Sequence, residues 1–417
     1  MSSYINIPSS SNVSSGLAGI TYVTAVAPSG GDDGALIKAA CTTVSGGGGG
    51  VVFLNGTTFK ARSEILLSGL ANVTIAGRGP GATSVVADDA GGLAGGNIIR
   101  ISNSPRCGIQ DLTLDSLVAR AAGAAIVTEG GSGTLANTAL LNGTGIGNVC
   151  FNNQFNGVVI QDAAGSVGAW KVNLAGLLFQ NTSHNGTGIV VNSPNGGSHY
   201  LRDVYFAGNP TVAQQPLAGL NIQSSGDICV DNMVTILAQY GCLINPGTGQ
   251  IVTALQMSNC DWDTCSQYVF AAIPSGSGAM QAMTVASNWF ASGTVGNVLI
   301  DATGTSSGGL SGDWRFVGCK SYNSPLGFRV KKGYSVDLVG CNTGGTATGF
   351  SFDLNSAHCK VADCRVVPSS QAPGGGTVTN GLVIEVGGDV LVSDCDLHNS
   401  TTPITGTPNA ASAGNIT

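Results

Sequence analysis

Charge is what this chain has least of. Asp, Glu, Lys and Arg together make up 9% of its 417 residues, and the balance is mildly acidic, with a net charge of −7. A nucleic-acid-binding surface needs a basic stripe to neutralise phosphates, and no Lys/Arg cluster here goes beyond Lys331-Lys332. Nucleic acid is therefore not an expected partner. No apolar run approaches the ~20 residues of a bilayer span, so membrane insertion is not expected. Residues 1–15 lack the basic and apolar regions of a secretion signal, which points to assembly inside a cell or export by another route. The twelve cysteines contain no CxxC pair. Cys260/Cys265 and Cys359/Cys364 have no matching His pairs, so neither a zinc site nor any other cofactor is expected. The four histidines, His184, His199, His358 and His398, fall in or near turns with no Ser or Cys elbow beside them.

What the chain does have is glycine, 64 of them, and a recurring phrase: glycine, apolar, any residue, apolar, polar. It reads Gly157-Val158-Val159-Ile160-Gln161, then Gly188-Ile189-Val190-Val191-Asn192, Gly219-Leu220-Asn221-Ile222-Gln223 and Gly241-Cys242-Leu243-Ile244-Asn245. After a blurred copy at Tyr268-Val269-Phe270 it returns at Asn297–Asp301, Gly327–Lys331, Gly349–Asp353 and Gly381–Glu385. Repeats of roughly 20 to 45 residues signify a solenoid, and one strand per copy stacked on its neighbours gives a parallel β-helix. A second phrase runs out of phase and ends on Leu112, Val149, Leu177, Val204, Met233, Cys260, Trp289, Cys319, Cys341, Cys364 and Cys395. Each rung thus holds at least two strands, and about eleven rungs at ~4.8 Å make a rod of roughly 50 Å. The register aims Cys260, Cys319, Cys341, Cys364 and Cys395 inward as stacked free thiols, with a Cys341–Cys364 bridge as the alternative.

The chain divides into an extended attachment segment at 1–27, a coil with its cap over 28–405, and a tail at 406–417. In the cap, Gly30-Gly31-Asp32-Asp33-Gly34 starts a short helix, about Ala35 to Val44, with aspartates at its positive end. Five glycines, Gly46 to Gly50, lead into Val51-Val52-Phe53-Leu54, and a turn follows at Gly77-Arg78-Gly79-Pro80-Gly81. This opening resembles the pectate-lyase-like single-stranded right-handed β-helix family, which includes bacteriophage tailspikes. The resemblance implies an all-β, right-handed parallel β-helix with a capping helix. It implies no particular chemistry, because the fold hosts lyases, hydrolases and inert fibres.

The middle residue of the first phrase must face away from the lumen. These residues are Val159, Val190, Asn221, Leu243, Leu299, Arg329, Ser351 and Val383. A ladder rich in Val and Leu suits a strand buried on both sides. It packs either on sister copies, most simply in a parallel homotrimer, or under a covering segment of the same chain.

The polar residue that closes each phrase forms a column: Gln161, Asn192, Gln223, Asn245, Asp301, Lys331, Asp353, Glu385. Asp353 and Glu385, on successive rungs, are the first candidate catalytic pair, because two carboxylates at ~5 Å or ~6.5–9.5 Å serve retaining or inverting glycoside hydrolysis. Arg329 and Lys331 beside them are candidate substrate-binding residues. A seal of alternating charges around a turn is the competing reading. Asp363, Asp394 and Asp396 form a second candidate cluster, which Arg365 can equally neutralise. Asp261-Trp262-Asp263 is the most sugar-like patch, with Asp261 and Trp262 as candidate contacts unless Trp262 points into the core. Gly327–Lys331 resembles the Arg-Ile/Val-Lys element of polygalacturonases, but the Asn-Thr-Asp, Asp-Asp and Gly-His-Gly elements are absent from the upstream rungs.

The resemblance and the ladder together suggest a tailspike-like virion appendage, assembled in host cytoplasm and attached to other virion proteins through the N-terminal segment. Its partner would be host surface polysaccharide, bound or cleaved. A non-enzymatic decoration spike and a free polysaccharide lyase or hydrolase are the alternatives.

Overall fold

The computed structural model describes residues 23–130, 144–162, 168–305, 312–385 and 389–407. The attachment segment lies outside these residues up to position 22, and the tail from position 408. Every strand pairing is parallel and joins a strand to its equivalent one rung away. Ile146 sits between Ile109 and Leu174, and Val159 between Val127 and Val190. The chain therefore climbs as one continuous coil, a parallel β-helix.

A single rung shows the plan. Leu255–Ser258 forms the first face, Asp261–Asp263 the second and Tyr268–Ala272 the third. Between the first two faces the backbone turns through the left-handed region at Asn259, and between the second and third at Thr264. That conformation costs an ordinary L-residue roughly 1–2 kcal/mol and is tolerated best by Gly, Asn and Asp. The equivalent first-corner residues are Asp111, Asn148, Gly176, Asp203, Asn232, Asn259, Ser287, Gly318, Gly340, Asp363 and Asp394, all at positive φ. These eleven corners match the rung number read from the repeats.

The glycine that opens the first phrase has a separate cause. A Cβ at Gly188 would lie 2.6 Å from both the Gly219 carbonyl oxygen and the Phe206 ring. The third face can approach the aromatic side chains of the lumen only where no side chain intervenes.

Inside the coil, large apolar side chains fill the lumen from end to end. Phe151 stacks on Phe179 with ring centroids 4.5 Å apart, and Phe328 on Phe350 at 5.6 Å. Each such side chain withdrawn from water contributes roughly 1.5–3 kcal/mol.

The cap matches its sequence. The helix α1 spans Asp33–Gly46, with Ile37, Cys41 and Val44 fully buried over the first rung. Its N-cap Asp32 accepts hydrogen bonds from the amides of Gly34 and Arg62, each at 3.0 Å. The Asp33 carboxylate accepts from the Lys60 amide at 2.7 Å, tying the helix to the coil. Val23–Val26 is itself a coil strand, in register with Val51 to Leu54.

The inward column of the second phrase differs from expectation at one rung. Asp261 pairs with Trp289, so the lumen position above Cys260 belongs to Asn288 and Trp289 points outward. Asn288 occupies this polar slot with four hydrogen bonds. Its Oδ1 accepts from the Cys260 amide at 3.0 Å and Trp262 Nε1 at 3.3 Å, and its Nδ2 donates to the carbonyls of Met257 and Ala286. Cys319, Cys341, Cys364 and Cys395 continue the column, and no Cys341–Cys364 bridge is formed. Burial pushes the Cys260 thiol up to about 12.

Candidate functional site

The outward ladder of the third face is continuous in register. It runs Leu66, Arg100, Val127, Val159, Val190, Asn221, Leu243, Ala271, Leu299, Arg329, Ser351, Val383, Thr405. None of the phrase midpoints enters the lumen cluster. The central part is covered by this chain's own side chains: Leu243, Ala271 and Leu299 form a second apolar cluster with Ala218, Tyr240 and Tyr268. Val159, Val190 and Val383 stay partly exposed.

Above that cluster stand the charged residues. Arg329 Nη2 donates to Asp353 Oδ2 at 3.0 Å, and Lys331 Nζ to Asp301 Oδ2 at 3.0 Å. The closing column is not straight, because bulges pair Asn192 with Ser224 and Asp301 with Lys332. Asp353 and Glu385 do follow paired positions on neighbouring strands, Phe352 facing Ile384. Each carboxylate already has a partner, since Glu385 Oε2 accepts from the Leu354 amide at 3.3 Å. Burial raises the Asp301 carboxyl, but hydrogen bonds from Thr303 and Lys331 outweigh it and hold the group below its usual range. The third face thus resembles a row of neutralised ion pairs above an apolar floor.

Asp363 and Asp394 are corner residues at φ 53° and 54°. Their place in the sequence has a sufficient cause in backbone conformation, the left-handed corner. Asp396 stands apart from them on the second face, 3.7 Å from Arg365 and hydrogen-bonded to His398. The expectation for Trp262 is corrected. It lies wholly inside the lumen, donates to Asn288 and cannot touch an external ligand.

Asp261 and Asp263 emerge outward on either side of Trp262. Only Trp262 lies between them, and the backbone rises about 7 Å from Asp261 to Asp263. Asp263 Oδ1 accepts from Thr264 Oγ1 at 2.9 Å. Asp261 Oδ1 is shielded from water and has no hydrogen-bond partner. Burial pushes the Asp261 carboxyl up from its ordinary value of 3.8, and the nearby Asp263 charge adds to this. Among the described carboxylates, the resolved shifts of Asp32, Asp88, Asp231 and Asp301 are all downward.

Directly above Asp261 in register is Trp289, whose ring lies 4.9 Å from that of Tyr322. Two rungs below is Tyr205, 42% exposed. The column beside them is small at Ala207, Ala291 and Gly344. The result is a strip along the rod axis with Tyr205 at one end, Asp261 and Asp263 in the middle and the partly buried Trp289 at the other, beyond which Tyr322 packs with Val367 and Ala372 and is 6% exposed. Tyr205, Trp289 and Tyr322 escaped sequence reasoning. Outward counting from Cys260 would have found Asp261, but the misplacement of Trp289 in the inward column hid the ring next to it.

A shallow, open depression of about 450 Å³ lies on the first face, lined by Gln256, Thr284, Asp313, Arg315 and Asp337. It contains none of the sequence-predicted site residues. Its charges alternate along the column, Arg315, Asp337, Lys360.

No family model matches the chain, and no curated protein does. Several solved structures are similar in chain path. The A-module of a mannuronan C-5 epimerase from Azotobacter vinelandii is 16% identical at a TM-score of 0.49, covering 92% of this chain and 95% of that one. PfbA, a surface adhesin of Streptococcus pneumoniae, is 13% identical at 0.48, covering 89% and 93%. Tailspike protein 3 of bacteriophage CBA120 is 12% identical at 0.44, covering 93% of this chain and 58% of that one. Such identities say nothing about chemistry, and the fold stands on the strand registers above.

Proposed function

We propose that this protein is a tailspike-like appendage whose right-handed coil contacts a surface polysaccharide of the host cell. The observation that carries this reading is the second-face strip, where Tyr205, Asp261 and Trp289 share one outward column along the axis and Asp263 stands beside Asp261. Sugar rings stack on aromatic faces, and their hydroxyls suit carboxylate acceptors. The rung repeat of ~4.8 Å is close to the length of one sugar unit, so a glycan can lie lengthwise. The exposed part of the strip, from Tyr205 to the partly buried Trp289, suits a polymer that binds from the side rather than a small molecule enclosed in a pocket.

The virion setting, assembly in host cytoplasm and N-terminal attachment to other virion proteins belong to the same proposal. They are supported by the resemblance of the capped opening at residues 30–90. A homotrimer is supported by the partly exposed Val159, Val190 and Val383 on the third face. Sedimentation velocity tests the assembly: a trimeric species is expected, and a monomer at every concentration would overturn it. Co-sedimentation with purified host capsule or lipopolysaccharide tests the function. Trp289→Ala should weaken binding about tenfold, from lost stacking of ~1–2 kcal/mol. Equal binding by both proteins would reject the strip.

A further inference from the structure

The upper end of the second-face strip holds an aromatic ring that the chain itself covers. Resting on the polysaccharide reading above, we propose that the segment 367–377 is a strap over Tyr322, and that the polymer binds by lifting it, so that Tyr322 joins Trp289 as a second stacking platform.

The strap is an addition to the coil. At lower rungs the chain turns from the second face to the third within 237–239, 264–267 or 292–295, whereas here it uses 367–377 to pass from Arg365–Val366 to Val378–Ile384. The added length lies over Tyr322, which stands in the outward column of Asp263 and Ala291. An outward tyrosine at this place is only 6% exposed because Val367 and Ala372 pack on it. Its ring lies 4.9 Å from that of Trp289, tilted by 43°. The two rings therefore form one platform, of which the strap leaves only the Trp289 part open.

The seat of the strap is shaped by a missing side chain. Gly344 follows Tyr322 in the column. A Cβ there would lie 2.4 Å from Val367 Cγ2 and 3.0 Å from Ala372 Cβ. A larger residue at Gly344 would keep the strap off the ring.

The latch is weak. The Gln371 and Ala372 amides donate to the Pro368 carbonyl at 2.9 and 3.1 Å, and the Gly375 amide to the Ala372 carbonyl at 3.0 Å. Among the described residues, 368–376 form no hydrogen bond with the coil. The Val367 amide, which donates to the Thr343 carbonyl at 2.9 Å, anchors the near end, and the strand from Val378 anchors the far end. Between these anchors Ala372 is the one buried residue. Gly374 and Gly375, at φ 83° and 70°, supply a hinge of low steric cost beside Gly376. Lifting the strap as a unit keeps its internal turn and breaks no hydrogen bond to the coil. A sugar face then takes the place of the Ala372 methyl group on the tyrosine ring.

This arrangement fixes the sign of a linkage. A polymer that binds only the lifted form loses affinity in proportion to the fraction of molecules with the strap closed. Loosening the latch therefore strengthens binding, an effect that a loop serving only to shield Tyr322 would not have.

The test uses the full-length protein and a panel of purified bacterial capsular and O-chain polysaccharides. Ala372→Asn, which sets a polar group against the Tyr322 ring, should strengthen binding of a recognised polymer by about threefold or more. Ala372→Gly, a milder loosening, should act in the same direction. The gain should vanish when Tyr322→Ala is added, because nothing is then uncovered. Cleavage within 368–376 by a broad-specificity protease should speed up in Ala372→Asn and, in wild type, on addition of the polymer. Thermal unfolding of each variant separates a lifted strap from a lost fold. Unchanged or weaker binding by both Ala372 variants overturns the strap, as does a gain that survives Tyr322→Ala or slower cleavage of wild type with polymer. Each of these leaves the polysaccharide reading standing. Absence of binding to every polymer overturns both.

Discussion

Asp261 and Trp289 hold the same outward position on consecutive rungs, one directly above the other. A carboxyl at this place meets an indole where most of the rod's outer columns offer a polar or aliphatic neighbour. The one-residue shift that moves Trp289 out of the lumen also moves Asn288 in, so the polar plug inside and the aromatic ring outside are two results of one register. Both can be tested.

Asn288→Ala would leave the Cys260 amide and Trp262 Nε1 without the partner Asn288 gives them inside the lumen. Stranded buried groups cost ~1–3 kcal/mol each, partly relieved by relaxation, so a loss of about 3 kcal/mol is expected in denaturant unfolding. A loss under 1 kcal/mol would mean that the slot is not the polar plug described.

Substitutions at Asp363 should follow backbone rules. Asp363→Gly and Asp363→Asn should change stability by less than about 0.5 kcal/mol, whereas Asp363→Val should cost roughly 1–2 kcal/mol because a β-branched residue resists positive φ. All three should leave polysaccharide binding unchanged. Thermal melts and co-sedimentation check the two halves. Lost binding in Asp363→Asn would restore the cluster to a functional role.

His199 gives the coil a defined pH response. It is fully buried, Nδ1 accepts from the Val172 amide at 3.4 Å, and Nε2 has no partner. Burial pushes its pKa from 6.5 down to about 4. The folded value lies below the ordinary one, so the unfolded chain takes up the proton first as pH falls. Stability from neutral His199 is complete above about pH 6.5, declines between 6.5 and about 4, and changes no further below. The full loss is at most roughly 3 kcal/mol. The lowered carboxylates Asp32, Asp88, Asp231 and Asp301 lose their contribution only at pH values below about 3.8. His199→Leu should be less stable at neutral pH, by ~1–2 kcal/mol for the stranded Val172 amide, yet flat between pH 6.5 and 4.5. Equal slopes in variant and wild type would contradict this.

Thiol reactivity should divide the cysteines by position. Ten are buried in the lumen or beneath the cap, while Cys150 and Cys229 reach the outer surface in part. A thiol reagent should modify about two groups in the native protein and all twelve after unfolding. More than four fast-reacting native thiols would mean that the lumen is not closed.

The fold was legible because its causes are periodic. Gly188 is glycine for lack of room, Asn259 and Asp363 turn a corner, and Val158 with Ile160 face the lumen on either side of Val159. The site was less legible. The repeat puts Asp353, Glu385, Arg329 and Lys331 on one face, but only coordinates show that Arg329 and the Leu354 amide reach the two carboxylates. Bulges after Val191 and Ile300 shift the closing column by a residue, and an irregularity of that kind leaves no mark in a glycine-apolar pattern. Asp363 and Asp394 looked like chemistry because aspartate serves both catalysis and left-handed corners. Only φ separates the two uses.

The most direct measurement is a crystal structure with a bound oligosaccharide of the recognised polymer. The account predicts sugar density along the second face, with one ring on Trp289 and a sugar hydroxyl within hydrogen-bonding distance of Asp261 or Asp263. Density seated instead over Arg329 and Asp353 on the third face, or in the first-face depression beside Arg315, would contradict it.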